Sequence, residues 1–337
     1  MRYIIIDTMN MFFRCKHTAQ RGMDTWQKVG MGLHMTLTSA AKEFREHKGD
    51  HVVFALEGRN NWRKKFYAPY KLKRAEDREA KHQAATEAQQ EEDALFFEAY
   101  DDLVEFLDKR TNCTVLQTDR CEGDDLMARW IQTHPDDEHV IVSSDTDFIQ
   151  LVAPNVSQYN GVKKHLYTLN GVYDDKGLPV VDKKNPGEVL PAPEPDWELF
   201  FKCIRGDTGD NVFSAFPGAR LKGTKNKVGI REAYEDRESQ GYNWNNFMLQ
   251  RWVDHKGIEH KVMDDFNRNM TLIDLSKQPQ DIKDAMDVTI ANAYSKPQAK
   301  MVGAHLLKFC GKYELNNVAK YVDRYADFLN AKLPELE

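Results

Sequence analysis

The 337-residue chain is 41% hydrophobic and 30% charged at a net charge of −6, the composition of a soluble globular protein able to bury one large core or two ordinary ones. No uncharged apolar run reaches the ~18 residues of a membrane span, and the apolar start MRYIIIDTMNMFF is broken by Asp7 and Asn10, so neither a signal peptide nor a membrane segment is expected. Five scattered cysteines without a CxxC pair exclude a disulfide framework and a zinc ribbon and suit a reducing, cytoplasmic setting.

In chain order, RYIII reads as a strand, the segment near 27–47 as a helix, HVVFAL as a second strand, and the chain to about residue 110 as helices. TVLQT, a helix from Asp124, HVIVSS, a short helix near Asp147 and VSQYN follow. Alternating strands and helices predict an α/β fold with a central, mostly parallel sheet covered on both faces. His47 and His51 in HKGDH are separated by a glycine-aspartate turn and read as ordinary surface residues.

Residues 62–100 lack a strand pattern. They begin with WRKKFYAPYKLKR, which carries Arg63, Lys64, Lys65, Lys71, Lys73 and Arg74 and no acid, so the positive charge that phosphate contacts need is local despite the negative sum. The insertion is either a solvated helical hairpin or a lid whose interleaved aromatic and basic residues bind single-stranded nucleic acid. PGEVLPAPEPDW, 186–197, reads as a linker before a second, mainly helical unit. The expected division is a core at 1–190, with the insertion at about 62–100, and a helical unit at 191–337.

The acids follow the strands. Asp7 ends the first, Glu57 follows the second, Glu122, Asp124 and Asp125 open the helix after the third, and Asp145 and Asp147 follow HVIVSS. In a parallel sheet these positions share the carboxyl rim where ligands bind. Asp207 and Asp210 in RGDTGDN form a further pair. Acids in a first helical turn are also stabilised by the helix dipole, but that effect does not place a carboxylate after successive strands. An oxygen-only ligand set without histidine or cysteine suits magnesium or manganese, and two such cations suit phosphodiester displacement.

The ordered motifs IIDTMNMFFRCKH, WRKKFYAPYKLKR, CEGDDLMA, SSDTDFIQL and RGDTGDN resemble those of the flap endonuclease or 5′-nuclease superfamily, most closely its bacteriophage ribonuclease H and 5′ to 3′ exonuclease members. FNRNMTLIDLS is similar to the region after the DNA-binding helices of phage members. The resemblance implies a PIN-like core, a helical arch at the insertion and a C-terminal duplex-binding unit. It implies two Mg2+ ions, with Mn2+ able to substitute, held or oriented by Asp7, Glu122, Asp124, Asp145 and Asp147, with Asp125, Asp207 and Asp210 completing the cluster. Lys71 and Arg74 would contact the scissile phosphate and stabilise transition-state charge. Arg14, Lys16, Arg63 and Lys64 would be further nucleic-acid contacts, and Tyr70 either stacks on a terminal base or sits in the core.

This chain has Glu57 where the family has aspartate, an acid that either serves the metal site or pairs with Arg59 or Lys64. After Asn211 the family's compact glycine hairpin looks expanded, leaving Lys222, Lys225 and Lys227 as duplex contacts or as a basic surface loop. Implied substrates are DNA with a 5′ end, flap or nick and RNA–DNA hybrids, in primer removal, replication or repair. Single-strand binding protein or polymerase are implied partners of a monomer without membrane association, in the bacterial host cytoplasm if phage-encoded. The alternative is a catalytically weakened nucleic-acid-binding protein of the same fold.

Overall fold

The computed structural model describes residues 1–17 and 22–334, the side chains of 15–17 excepted. Its elements run β1 Arg2–Asp7, α1 Thr8–His17, α2 Thr25–Glu46, β2 His51–Ala55, α3 Trp62–Phe66, α4 Leu72–Ala84, α5 Glu87–Arg110 and β3 Thr114–Leu116. They continue α6 Gly123–Thr133, β4 Glu138–Val142, a 3-10 turn Thr146–Leu151, β5 Val156–Asn160, β6 His165–Thr168, β7 Gly171–Asp174 and α7 Pro195–Arg205. Then come α8 Ile230–Glu235, α9 Tyr242–Met248, β8 Arg251–Val253, β9 Glu259–Lys261, α10 Val262–Ile273, α11 Gln280–Tyr294, α12 Val302–Lys312, α13 Asn316–Lys320 and α14 Val322–Asn330.

Two compact units share the chain. The first comprises 1–61, 82–193 and 280–337, the second 62–81 and 194–279. The division expected at 190 and 191 therefore changes in two places: the C-terminal helices from residue 280 belong with the sheet, and the basic segment 62–81 belongs with the second unit. The proline-rich linker still marks where the second unit begins.

In the first unit the sheet order is β3-β2-β1-β4-β5-β6-β7. β1 to β5 are parallel, whereas β6 and β7 form an antiparallel hairpin on β5. Ile4, Ile5 and Ile6 are wholly buried, as expected of a strand covered on both faces. Alternation sends Ile4 and Ile6 into a core with Leu33 and Leu37 of α2, Leu103 of α5 and Phe328 of α14. Tyr3 points the other way and meets Trp130 of α6 edge-on at 5.2 Å. Each fully buried side chain of this size contributes roughly 1.5–3 kcal/mol.

The β6–β7 hairpin lies outside the strands expected from the sequence; Thr168 pairs with Gly171, so its two-residue turn is Leu169-Asn170. His51 overturns its expectation as a surface residue. It is wholly buried, with Nδ1 against the Ala331 carbonyl at 2.9 Å and Nε2 against the Thr114 hydroxyl at 2.8 Å. The turn kept it off a helix but delivered it to the first position of a central strand.

The insertion also divides. Helix α5 buries Phe96, Ala99, Tyr100 and Leu103 and is a core helix, so the arch does not extend to residue 100. α4 has no buried residue at all. In the second unit α7, α8, α9 and α10 enclose a core of Phe200, Ile204, Trp244, Phe247 and Phe266; the FNRNMTLIDLS stretch supplies α10 and its cap.

Candidate active site

Parallel strands put Asp7, Ser143 and the segment after Ala55 on one rim of the first unit, since Asp7 pairs in register with Ala55 and Ile6 with Val142. Asp7 accepts the Asn10 amide at 3.1 Å through Oδ1 and the Ser143 hydroxyl at 2.9 Å through Oδ2. The same Ser143 oxygen accepts the Asp145 amide at 3.1 Å, and Asp145 Oδ1 accepts the Asp147 amide at 2.9 Å. Buried Gln158 fastens this turn from β5 by donating to the Ser143 carbonyl at 3.1 Å and the Asp145 carbonyl at 2.5 Å. Ser143, Asn10 and Gln158 were not singled out from the sequence; the serine stood in plain sight within SSDTD.

Glu57 and Glu122 are drawn together by a close backbone approach. The Gly58 amide donates to the Cys121 carbonyl at 2.9 Å, and a Cβ at residue 58 would lie 2.0 Å from the Thr118 carbonyl oxygen. Only glycine fits there. Gln117 adds a bond to the Glu57 carbonyl at 2.9 Å. Glu122 caps α6 and its amide donates to Asp125 at 3.1 Å, a reciprocal capping box. Asp125 is wholly buried and Glu122 nearly so, whereas Asp124 is half-buried and Asp145 exposed. The helix-dipole reading thus describes Asp125 well, while Asp124 beside it is half-buried.

Among the described residues no three carboxylate, histidine or cysteine side chains converge at metal-ligating distance. Neutral donors orient Asp7, Asp125 and Asp145 on the rim. The fit to hard divalent cations rests on the donor set, which is oxygen throughout. The Tyr100 hydroxyl is buried nearby, and burial first, then the charges of Asp7 and Glu57, push its pKa up.

Asp207 and Asp210 belong to the second unit and rest on cations. Gly206 turns the chain out of α7 with φ +75°, where a Cβ would lie 2.3 Å from the Val212 carbonyl oxygen. Burial would raise the Asp207 carboxyl, but the Lys202 ammonium at 2.7 Å and the Gly209 and Asp210 amides hold it below the usual carboxylate range. Asp210 pairs with Arg74 at 2.8 Å and Lys71 at 3.7 Å and accepts the Tyr70 hydroxyl at 3.1 Å.

Two expected nucleic-acid contacts are corrected here. Arg63 is 1% exposed, donates to the Leu272 carbonyl at 2.8 Å and lies over the Trp62 ring. Tyr70 is 4% exposed within the core of its unit, which resolves its two readings in favour of the core. The sequence pattern could not separate a buried arginine from its exposed neighbours on one helical turn. Lys64 is exposed, as are Lys222, Lys225 and Lys227, and Arg14 is half-buried beside Gly161. The Lys16 side chain lies outside the described residues. The Gly223 amide donates to Glu232 at 2.9 Å and the Gly229 amide at 3.0 Å, so these two backbone donors are engaged and the lysines are what this loop presents.

Comparison with known proteins agrees with this architecture. Residues 2–177 match the 5′-3′ exonuclease, N-terminal resolvase-like domain family. The chain is 24% identical over 211 residues to the flap endonuclease of Escherichia phage T5 and 25% identical over 220 residues to DNA polymerase I of Rhizobium leguminosarum, covering 62% and 64% of this chain. These alignments span 63% and 18% of the relatives' own length. The fold is similar to a phage T5 protein crystallised with metal ions, at TM-score 0.57 and 18% identity, covering 87% of this chain and 99% of that one. It is equally similar, at TM-score 0.57 and 18% identity, to the T5 flap endonuclease complex with DNA and metal ions, covering 88% and 98%. With more than half of its length matched, the chain belongs to the 5′-3′ exonuclease family and carries that family's N-terminal resolvase-like domain.

Proposed function

We propose that the protein is a divalent-metal-dependent 5′-nuclease that hydrolyses phosphodiester bonds at 5′ ends, flaps or nicks of DNA and in RNA–DNA hybrids. The observation that carries this reading is the chain of contacts Asp7, Ser143, Asp145 and Asp147 on the sheet rim. It links acids from two strands through one serine hydroxyl and presents carboxylate oxygens of the kind hard cations take.

Asp7, Glu57, Glu122, Asp124, Asp145 and Asp147 would hold two Mg2+ or Mn2+ ions, with Asp125 fixing the Glu122 backbone. Cations bound there polarise a phosphodiester and ease deprotonation of water. Ser143 orients Asp7 and the Asp145 amide together. Lys71 and Arg74 bind a phosphate of the substrate strand and offset charge that grows as the phosphorus is attacked. Exposed Lys64, Lys222, Lys225 and Lys227, with Arg14 and Lys16, supply phosphate contacts that carry no sequence information. The T5 relative's crystallisation with metal ions and DNA supports this assignment.

The test is incubation with a labelled 5′-flap duplex and an RNA–DNA hybrid in Mg2+, in Mn2+ and in chelator, with products resolved by size. Metal-dependent shortening from the 5′ side is expected. Persistent binding with both substrates intact in either metal overturns the enzyme reading in favour of a binding protein of the same fold. Ribonuclease H activity, primer removal or repair, and any single-strand binding protein or polymerase partner belong to this proposal.

A further inference from the structure

Asp210 sits among cations of its own unit. Its carboxylate faces two cations and a phenol, with Arg74 at 2.8 Å on Oδ1, and Lys71 at 3.7 Å and the Tyr70 hydroxyl at 3.1 Å on Oδ2. Its carbonyl accepts the Lys71 amide at 2.8 Å, the neighbouring Gly209 carbonyl accepts Arg74 Nε at 2.8 Å, and Asn211 Nδ2 donates to the Pro69 carbonyl at 2.9 Å. Consecutive residues 209–211 thus grip the segment 69–74 through both main chain and side chain.

The grip holds an unfavourable backbone. Lys71 has φ +53° and Asn211 φ +60°, left-handed conformations that are uncommon outside glycine. Lys71 is 20% exposed and Asp210 15%, so the pair is shielded enough for its charges to matter. Arg74, 55% exposed, keeps an open face while Asp210 fixes its other edge. A divalent cation bound to the same carboxylate would meet two positive charges already in place, an arrangement that Coulomb repulsion opposes.

We propose that Asp210 is a positioning residue, not a metal ligand: it sets Lys71 and Arg74 side by side, with Tyr70 as the buried peg, so that one phosphate can be taken by both cations at once. This rests on the nuclease reading for its consequence but not for its geometry. A bound phosphate replaces the carboxylate as the shared anion, and the main-chain bonds at Lys71 and Gly209 keep the segment in register meanwhile.

The experiment compares Asp210→Asn, Asp210→Glu and Tyr70→Phe in the full chain, with Asp145→Asn run alongside to show what loss of a metal ligand looks like. Three readouts are taken: amide hydrogen exchange of residues 69–75 in the metal-free protein, Mn2+ binding by calorimetry, and single-turnover cleavage of a saturating 5′-flap duplex. Asp210→Asn is expected to speed exchange of the Lys71 and Ala75 amides about tenfold, to keep the wild-type Mn2+ stoichiometry and affinity, and to slow cleavage about 100-fold. Tyr70→Phe should show the same pattern at about threefold, and Asp210→Glu should recover part of the cleavage rate. Loss of one Mn2+ equivalent in Asp210→Asn with wild-type exchange overturns the proposal. Exchange and Mn2+ binding need no turnover, so failure of the nuclease reading would show in the wild-type cleavage arm alone.

Discussion

The sheet rim of the first unit and the RGDTGDN turn of the second surround their acids with different groups. On the sheet rim, Asp7, Asp145 and Asp125 are oriented by a serine hydroxyl and by backbone amides, neutral donors that shape an acid without cancelling its charge. In the second unit, Asp207 and Asp210 sit against Lys202, Lys71 and Arg74, which do cancel it. A carboxylate oriented by neutral donors keeps its charge, and a carboxylate held against ammonium and guanidinium groups organises those cations around it. The same residue type in similar Gly-Asp or Ser-Asp turns therefore takes on two kinds of work.

The largest departure from this contrast is expected at the rim. Asp145→Asn should keep the fold, since its carboxylate is exposed, while metal-dependent cleavage falls at least about 1000-fold. Unchanged turnover in a gel assay would remove Asp145 from the site. Lys71→Ala should slow single-turnover cleavage about 100-fold while duplex affinity, read by anisotropy in Ca2+, drops only a few-fold. Equal decreases in rate and affinity would deny Lys71 a role specific to the transition state.

Acid should separate the units next. Burial pushes His51 down to about 4 from an ordinary 6.5, so its contribution to stability is complete above pH 6.5 and is lost as pH falls through 4. That gap is worth ~3 kcal/mol. Asp207 is also depressed, with Lys202 as the main opposing partner to burial; its contribution is present above the ordinary carboxylate pKa and lost only as pH falls below it. Denaturant unfolding between pH 7 and 4 should show a weakening that His51→Gln reduces and Asp207→Asn does not, the rest coming from His34, His134, His139 and His165, which burial also pushes down. If the two variants respond alike, the division of titrating groups between units is wrong.

The smallest effect tests the exposed lysines. Replacing Lys222, Lys225 or Lys227 by alanine should reduce the slope of log affinity against log salt by about 0.9 for each duplex phosphate that the side chain neutralises. The cleavage rate of fully bound substrate should not change. A slope unchanged in all three would leave the segment a solvated basic loop.

Much of the sheet was legible in the sequence because its physics is local. RYIII and HVIVSS are apolar runs of strand length, and each acid on the rim follows its strand by a few residues. Legibility failed where local pattern was outvoted or absent. Arg63 shares a turn with the exposed Lys64, yet packing on Trp62 and the Leu272 carbonyl buries it. His51 begins a strand that the sheet covers on both sides. The β6–β7 hairpin turns on Leu169-Asn170, a pair without the Asn-Gly or Asp-Gly chemistry that marks a tight turn in sequence.

The sequence by itself determined a mostly parallel sheet, the rim that Asp7, Glu57, Glu122 and Asp145 follow, and the oxygen chemistry they offer. Hydrophobic spacing and turn residues act over a handful of positions, and they suffice for that. Only the tertiary structure decided that residues 62–81 and 280–337 leave their sequence neighbours for other units, that Ser143 joins two acids, and that Asp210 meets Lys71 and Arg74. Those are contacts across more than a hundred positions of chain, fixed by which surfaces bury one another, and no local pattern encodes them.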